Sequence, residues 1–398
     1  MTTFASIFER GSELIEMGNA KALFLHLPAL RTLVAAILLT TSFGAVASEP
    51  AGTHEEESFN AGEYIIHHIA DAHSIHLFGK ESEGIPEVSI PLPVILWTDN
   101  GLAVFMSSAF HHDTEGRVVV EANGQRFVNY HEKILYANDA PDEHGSYASI
   151  DHETHKPTGA APLDFSITKT VFGMLLIMVL MVVVFLSVAK AYTRREGQAP
   201  TGLQNFLEPL IIFIRDEVAV PSIGKKKADR FMPFLLTVFF FIWMSNMLGL
   251  IPFIGGFNVT GTMGVTLVLA LFVFIITSIN GNKHYWGHLF NPPGVPGGIK
   301  LILVPIEILG MFIKPSVLMI RLTANITAGH IAILAFVSLI LIFNTLLGSV
   351  AGYGMGVFST AFMIFMFFLE LLVAFLQAYV FTLLAALYFG DATHEAHH

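Results

Sequence analysis

Cysteine does not occur among the 398 residues. Its absence excludes disulfides, zinc–thiolate sites and thiol nucleophiles, and leaves the compartment open. Charge is scarce too: Asp, Glu, Lys and Arg make up 13% of the chain, against 53% hydrophobic residues and a mean hydropathy of +0.62. With long apolar runs, that composition excludes a wholly soluble protein. Charge of one sign prevails between Ser48 and Phe165, where 20 acidic residues face 5 basic ones. That segment is net −15 and the whole chain −11, so the remainder is +4. An acidic soluble part is thus joined to a hydrophobic, mildly basic membrane part. The scattered Lys and Arg form no basic stripe, so no nucleic-acid partner is expected. There is no phosphate-binding loop and no activated nucleophile, so neither nucleotide chemistry nor a cofactor is expected of this chain.

What is present begins with an address. Arg31, a short apolar run and Ala45-Val46-Ala47 follow one another in the order of a secretory signal peptide. Residues 1–47 therefore read as a leader, and Met17 would start one of more usual length. An uncleaved anchor is the rival. Cleavage is favoured because an acidic segment carrying 11 of the 18 histidines follows and has to be exported.

Residues 48–140 read as a small β-containing extracytoplasmic domain. Val118-Val119-Val120 and Phe127-Val128 flank Asn123-Gly124, the pair that a type I′ hairpin turn requires. Asp99-Asn100-Gly101 marks a second turn. His67, His68, His73, His76, His111 and His112 are of a type that binds zinc or copper. Their spacing fits no metal motif, so no metal is assigned and a solvated, pH-buffering surface is expected. Residues 141–165, polar and without periodicity, read as a linker.

The membrane part, residues 166–390, is expected to hold five membrane helices, with residues 391–398 as a polar tail. The first span runs from about Ile167 to Tyr192, the second from about Phe231 to Ile251 and the third from about Val259 to Ser278. "KAYTRRE" follows the first and "GKKKADR" precedes the second. Cytoplasmic loops collect Lys and Arg, so this connection lies inside and the N-terminal domain outside. Between them "LQNFLEPLIIFIRDEV" is apolar on one side only, as an interfacial amphipathic helix would be. The last two apolar segments, Leu301–Gly348 and about Met355–Phe389, are too long for upright spans. A helix of 48 residues would run roughly 72 Å against a hydrocarbon core of about 30 Å. Each is expected either to break or to lie steeply tilted, with "GSVAGYGMG" turning the chain between them.

Within Leu301–Gly348 stand Glu307, Lys314 and Arg321, seven apart and so near one helix face. Asn325 shares that face, whereas His330, nine beyond Arg321, points away. Glu370 and Gln377 are again seven apart on the last helix. An Arg at the bilayer centre costs about 2.5–3.5 kcal/mol on insertion scales and far more in simulation. It cannot escape by releasing its proton. Such a group faces a partner, a water cavity or an ion path. Glu307 and Lys314 have a plainer explanation as structural or snorkelling residues, and Arg321 has one as a buried ion pair with Glu370.

"IEILGMFIKPSVLMIRLTANITAGH" and "ELLVAFLQAYVFTLLAALYFGDA", with the order of spans over residues 166–390, resemble subunit a of the F-type ATP synthase. The resemblance implies a proton channel that works against a c-ring within the F-type complex, with subunit b as stator and lipid around it, in a bacterial plasma membrane. It implies proton-translocation roles for Arg321, Asn325, His330, Glu370 and Gln377, with Glu307 and Lys314 in support. Many members carry Glu where this chain has His330 and His where it has Glu370, so the pair is exchanged. Thr323-Ala324 replaces the Phe-Gly common in relatives. The exported domain resembles the N-terminal extension of some bacterial members, chiefly of the Bacteroidetes kind. A stand-alone secondary transporter and a structural assembly protein are the alternatives. No internal repeat supports the first.

Overall fold

The computed structural model describes residues 62, 70–80, 85–151, 156–251, 257–292 and 295–393. The leader, residues 1–47 with Met17, lies outside them, as do His67 and His68.

Among the described residues ten strands precede the long helices: β1 Ser74–Lys80, β2 Ile85–Pro91, β3 Pro93–Thr98, β4 Gly101–Met106, β5 Val120–Ala122, β6 Gln125–Tyr130, β7 Lys133–Tyr136, β8 Ile150–Asp151, β9 Lys156–Pro157 and β10 Leu163–Asp164. They form four small antiparallel sheets, with orders β1-β2, β10-β3-β4, β5-β6-β7 and β8-β9. The β5–β6 turn is the expected one: Asn123 (φ 52) and Gly124 (φ 72) both sit at positive φ. The core joins Val94, Leu96, Ala103, Phe110, Val120, Phe127 and Ile134. Each large side chain so buried contributes about 1.5–3 kcal/mol.

The described part of the expected linker, 141–165, contains three short strands. β8 and β9 pair with each other, and β10 returns to β3 with Leu163 opposite Trp97. A two-residue strand carries no readable periodicity, and backbone hydrogen bonds rather than side-chain pattern hold it. His73 is likewise not on a solvated surface. It is 5% exposed, beside Glu132 and Asp164.

The helices are α1 Lys169–Arg194, α2 Leu203–Phe213, α3 Lys225–Gly249, α4 Met263–Asn280, α5 Lys283–Phe290, α6 Gly297–Leu347 and α7 Ser349–Thr393. Five of them, α1, α3, α4, α6 and α7, are long and apolar enough to cross a membrane. α2 continues through a π turn, Ile214–Ala219, into Val220–Ile223. α1 starts under the strands. Thr168 caps it, Lys169 N–H donates to Ala72 O (2.8 Å) and Thr170 N–H donates to Asp71 Oδ1 (2.9 Å). The acidic domain thus satisfies the first donors of the helix. α3 is central: 56% of its apolar window is buried, against 17% for α1. It packs on α7 through Phe231 and Phe389, stacked at 4.9 Å. Ala378, Ala385 and Ala386, all fully buried on α7, keep the backbones close.

α6 and α7 do not break; they run 51 and 45 residues. At about 1.5 Å per residue both far exceed a bilayer's apolar depth, so a steep incline is the remaining solution. The turn between them is smaller than expected. Only Gly348, at φ 83, leaves the helical conformation. Gly352, Gly354 and Gly356 lie within α7. In lipid a backbone outside a helix has no water to satisfy it, so the helices close up to the one residue that has to turn. Gly352 then abuts Asn344: a Cβ there would stand 2.8 Å from the Asn344 Cβ.

Candidate functional site

Arg321 sits on the outer face of α6. Its neighbours Leu318 and Leu322 are 2% and 1% exposed and point into the core, which leaves Arg321 exposed. It makes no ion pair with any described residue, so the Arg321–Glu370 bridge is absent.

His330 and Glu370 do come together. Both line a cavity of about 20 Å³ with Asn246, Asn325 and Gly329, room for about one water. A Cβ on Gly329 would stand 2.4 Å from Glu370 Oε1, so only glycine lets the carboxyl group lie on α6 there. Both Glu370 oxygens are buried without a protein hydrogen bond. Leaving a polar group unpaired away from water is costly, and the one-water space of this cavity is where a partner for it fits. Across the cavity, Asn246 donates from Nδ2 to Ala374 O (3.2 Å) and accepts from the Thr260 hydroxyl. A Cβ on Gly249 would lie 3.6 Å from His330 Nε2. Asn325, placed by its spacing on the Arg321 face, also reaches this cavity.

A second cavity, about 390 Å³, opens at the other end of the helices. Glu307 and Lys314 line it, with His284, His288, Tyr388 and Asp391. The Lys314 ammonium lies 5.5 Å from the centre of the Tyr388 ring, a cation–π contact. On α6 the last residue of this cavity is Pro315 and the first of the other is Asn325. Arg321 falls between them, roughly 9 Å from one and 6 Å from the other along the axis. Gln377, 9% exposed, lines neither cavity.

Sequence reasoning missed Asn246, His284, His288, Tyr388 and Asp391. Asn246 is a lone amide in the apolar run "FIWMSNMLGL", and that was its one signal.

Residues 171–390 match the family model described as ATP synthase A chain. Residues 64–165 match a domain of unknown function, DUF8433. Similar proteins include an ATP synthase subunit a 2 of Chlorobaculum tepidum, 45% identical over 258 residues (62% of this chain, 70% of that one). An ATP synthase subunit a of Pelodictyon phaeoclathratiforme is 41% identical over 254 residues (62% and 72%). That of Chloroherpeton thalassium is 41% identical over 241 residues (59% and 69%).

Proposed function

The chain belongs to the ATP synthase A chain family, and on that premise we propose how its two cavities and Arg321 move protons. It is a multi-pass membrane protein that provides the proton channel of the F-type ATP synthase. Family membership sets aside the stand-alone transporter and the structural assembly protein.

The N-terminal domain lies outside and the C-terminus in the cytoplasm. Two features support this orientation. Lys190, Arg194 and Arg195 close α1 and Lys225–Lys227 open α3, at the end away from the strands. Five crossings then return the chain inside. The small cavity, reached by the C-terminal end of α3, is the outer one. The large cavity, reached by the ends of α4 and α7, is the inner one.

A proton enters from outside and passes through the His330 and Glu370 cavity to a carboxylate on the c-ring, helped by Asn325. Once neutral, that group can enter lipid without the cost of a buried charge. After nearly a full turn it meets the inner cavity, where Glu307 and the polar groups around it take the proton to the cytoplasm, with Lys314 in support. The bared carboxylate is drawn to Arg321, whose fixed charge also repels protons that would leak between the cavities. Gln377, seven residues beyond Glu370 and so on the same side of α7, serves the same proton path. Each proton crossing 100 mV brings about 2.3 kcal/mol.

The observation that carries this is Arg321 itself: exposed, without an ion-pair partner among the described residues, and placed between the two cavities. The test is proton-driven ATP synthesis in membranes carrying Arg321→Ala, with assembly of the complex measured separately. Loss of synthesis in assembled complexes is expected. Normal synthesis would refute the role of Arg321.

A further inference from the structure

The exported domain brings its own ionisable groups to the start of α1. His73 Nε2 lies 3.1 Å from Asp164 Oδ2 on β10. His73 N–H donates to Glu132 Oε2 (3.2 Å), and His73 Nδ1 is 3.7 Å from that oxygen. Glu132 reaches this place from the β6–β7 turn, where His131 (φ 47) and Glu132 (φ 62) both adopt the left-handed conformation. The β5–β6 turn uses Asn-Gly for the same geometry, which suits it. A glutamate there is strained, and such strain gathers where a side chain is being aimed. Lys169, the first residue of α1, is tied to the same place by its backbone N–H, which donates to the carbonyl of Ala72 between Asp71 and His73, while Asp71 accepts from Thr170 N–H. His73, Lys169, Asp71, Glu132 and Asp164 therefore form one cluster. Three carboxylates face two bases, so one negative charge is in excess when both bases hold protons.

The cluster stands over the outer cavity. Asp71 holds Thr170, and the Thr170 hydroxyl lies 3.2 Å from that of Thr262. The Thr327 hydroxyl donates to Gly261 O (3.4 Å), one residue from Thr262 and one helical turn before His330. Phe257 fills the space beside this seam, because Gly173 and Gly249 have no Cβ to oppose it.

We propose that this cluster is the outer mouth of the entry path, its carboxylates taking up protons from solvent and releasing them to water that enters the His330 cavity beside the threonine seam. A proton arriving at a carboxylate is matched by one leaving inward, so the cluster returns to the same charge. The excess negative charge concentrates protons at the mouth, as charged clefts do for their ligands. Burial alone would lower the His73 pKa. The hydrogen bonds and charges of Asp164 and Glu132 outweigh it and raise the pKa to about 9, so the cluster keeps its composition over the working range. The inference rests on the His330 and Glu370 cavity being the entry.

The test uses the complete ATP synthase in vesicles, with synthesis measured at fixed membrane potential and varied outer pH. His73→Gln and Glu132→Gln are compared with wild type. Glu132→Gln keeps an oxygen for the His73 N–H and removes only the charge, so it stands if His73→Gln fails to fold. Glu132→Gln, which cancels the excess negative charge, is expected to lower synthesis about tenfold at alkaline outer pH, moving the alkaline limb down by about one pH unit, whereas His73→Gln, which leaves the cluster one charge more negative, should move that limb up. ATP hydrolysis, and synthesis at acidic outer pH, should be unchanged. A Glu132→Gln profile superimposable on wild type would overturn the inference. With Arg321→Ala inactive at every outer pH, only the mouth would fall. With Arg321→Ala active, the channel mechanism itself would fall.

Discussion

Gly329 and Glu370 meet where no Cβ fits, and that contact makes the site sensitive to a single methyl group. Gly329→Ala must displace the carboxyl group by more than an ångström, since the new atom would stand 2.4 Å from Oε1. Misplacement on that scale costs about tenfold to 100-fold in rate. The expected result is a fall of that order in proton-driven ATP synthesis by assembled complexes. Glu370→Asp, shorter by one methylene, should restore part of it when added to Gly329→Ala. A full rate in Gly329→Ala would show that the carboxyl position does not matter. At this scale the sequence was informative where chemistry was expensive. Arg321, Lys314, Glu307, His330 and Glu370 stand out because charge and titratable groups in apolar runs need a reason. Asn246 did not, because one amide in a buried helix is cheaply satisfied by a neighbouring carbonyl, and only the fold brings Ala374 to it. Nor did sequence place Asn325 beside His330, since their spacing on α6 sets them well apart around the helix.

Among elements, the two long helices were legible as apolar length, and their junction was not. Four glycines in "GSVAGYGMG" suggested a broad turn, yet one of them does the turning. A pair of substitutions separates the roles. Gly348→Ala puts a side chain at φ 83 and should destabilise the solubilised chain by about 1 kcal/mol or more. Gly354→Ala, in a helix with nothing within 4 Å of the added Cβ, should be neutral or stabilise by up to about 1 kcal/mol. Thermal unfolding in detergent reads both, and equal effects would count against the single-residue turn. The strands after residue 141 were illegible for a different reason: two-residue strands have too few positions to show alternation, and β10 is defined by its long-range partner β3.

For the molecule as a whole, the His73 cluster ties the stability of the N-terminal β-containing domain on α1 to pH. Its folded pKa, about 9, is above the ordinary value of 6.5. A group raised in this way contributes fully below 6.5, and the contribution is lost as pH rises towards about 9. The size is about 3 kcal/mol by linkage. Asp164 is shifted the other way: burial would raise its pKa, but the hydrogen bonds of His73 and Ser166 hold it below the usual value. Its share is present above the ordinary carboxylate range and is lost on acidification. Amide exchange of β1 and β10 should therefore quicken between pH 6.5 and 9 once corrected for intrinsic rates, and His73→Gln should flatten that dependence. An unchanged slope in the variant would assign the effect to other groups.

At the far end of the chain a single oxygen acts as a mooring. The Thr393 carbonyl accepts from Lys227 Nζ (2.7 Å) and from Asn282 Nδ2 (2.9 Å), so the last helical residue tethers both the root of α3 and the loop ahead of α5. A stop codon in place of Thr393 would loosen the large cavity beside Asp391 from two sides at once, far from Arg321.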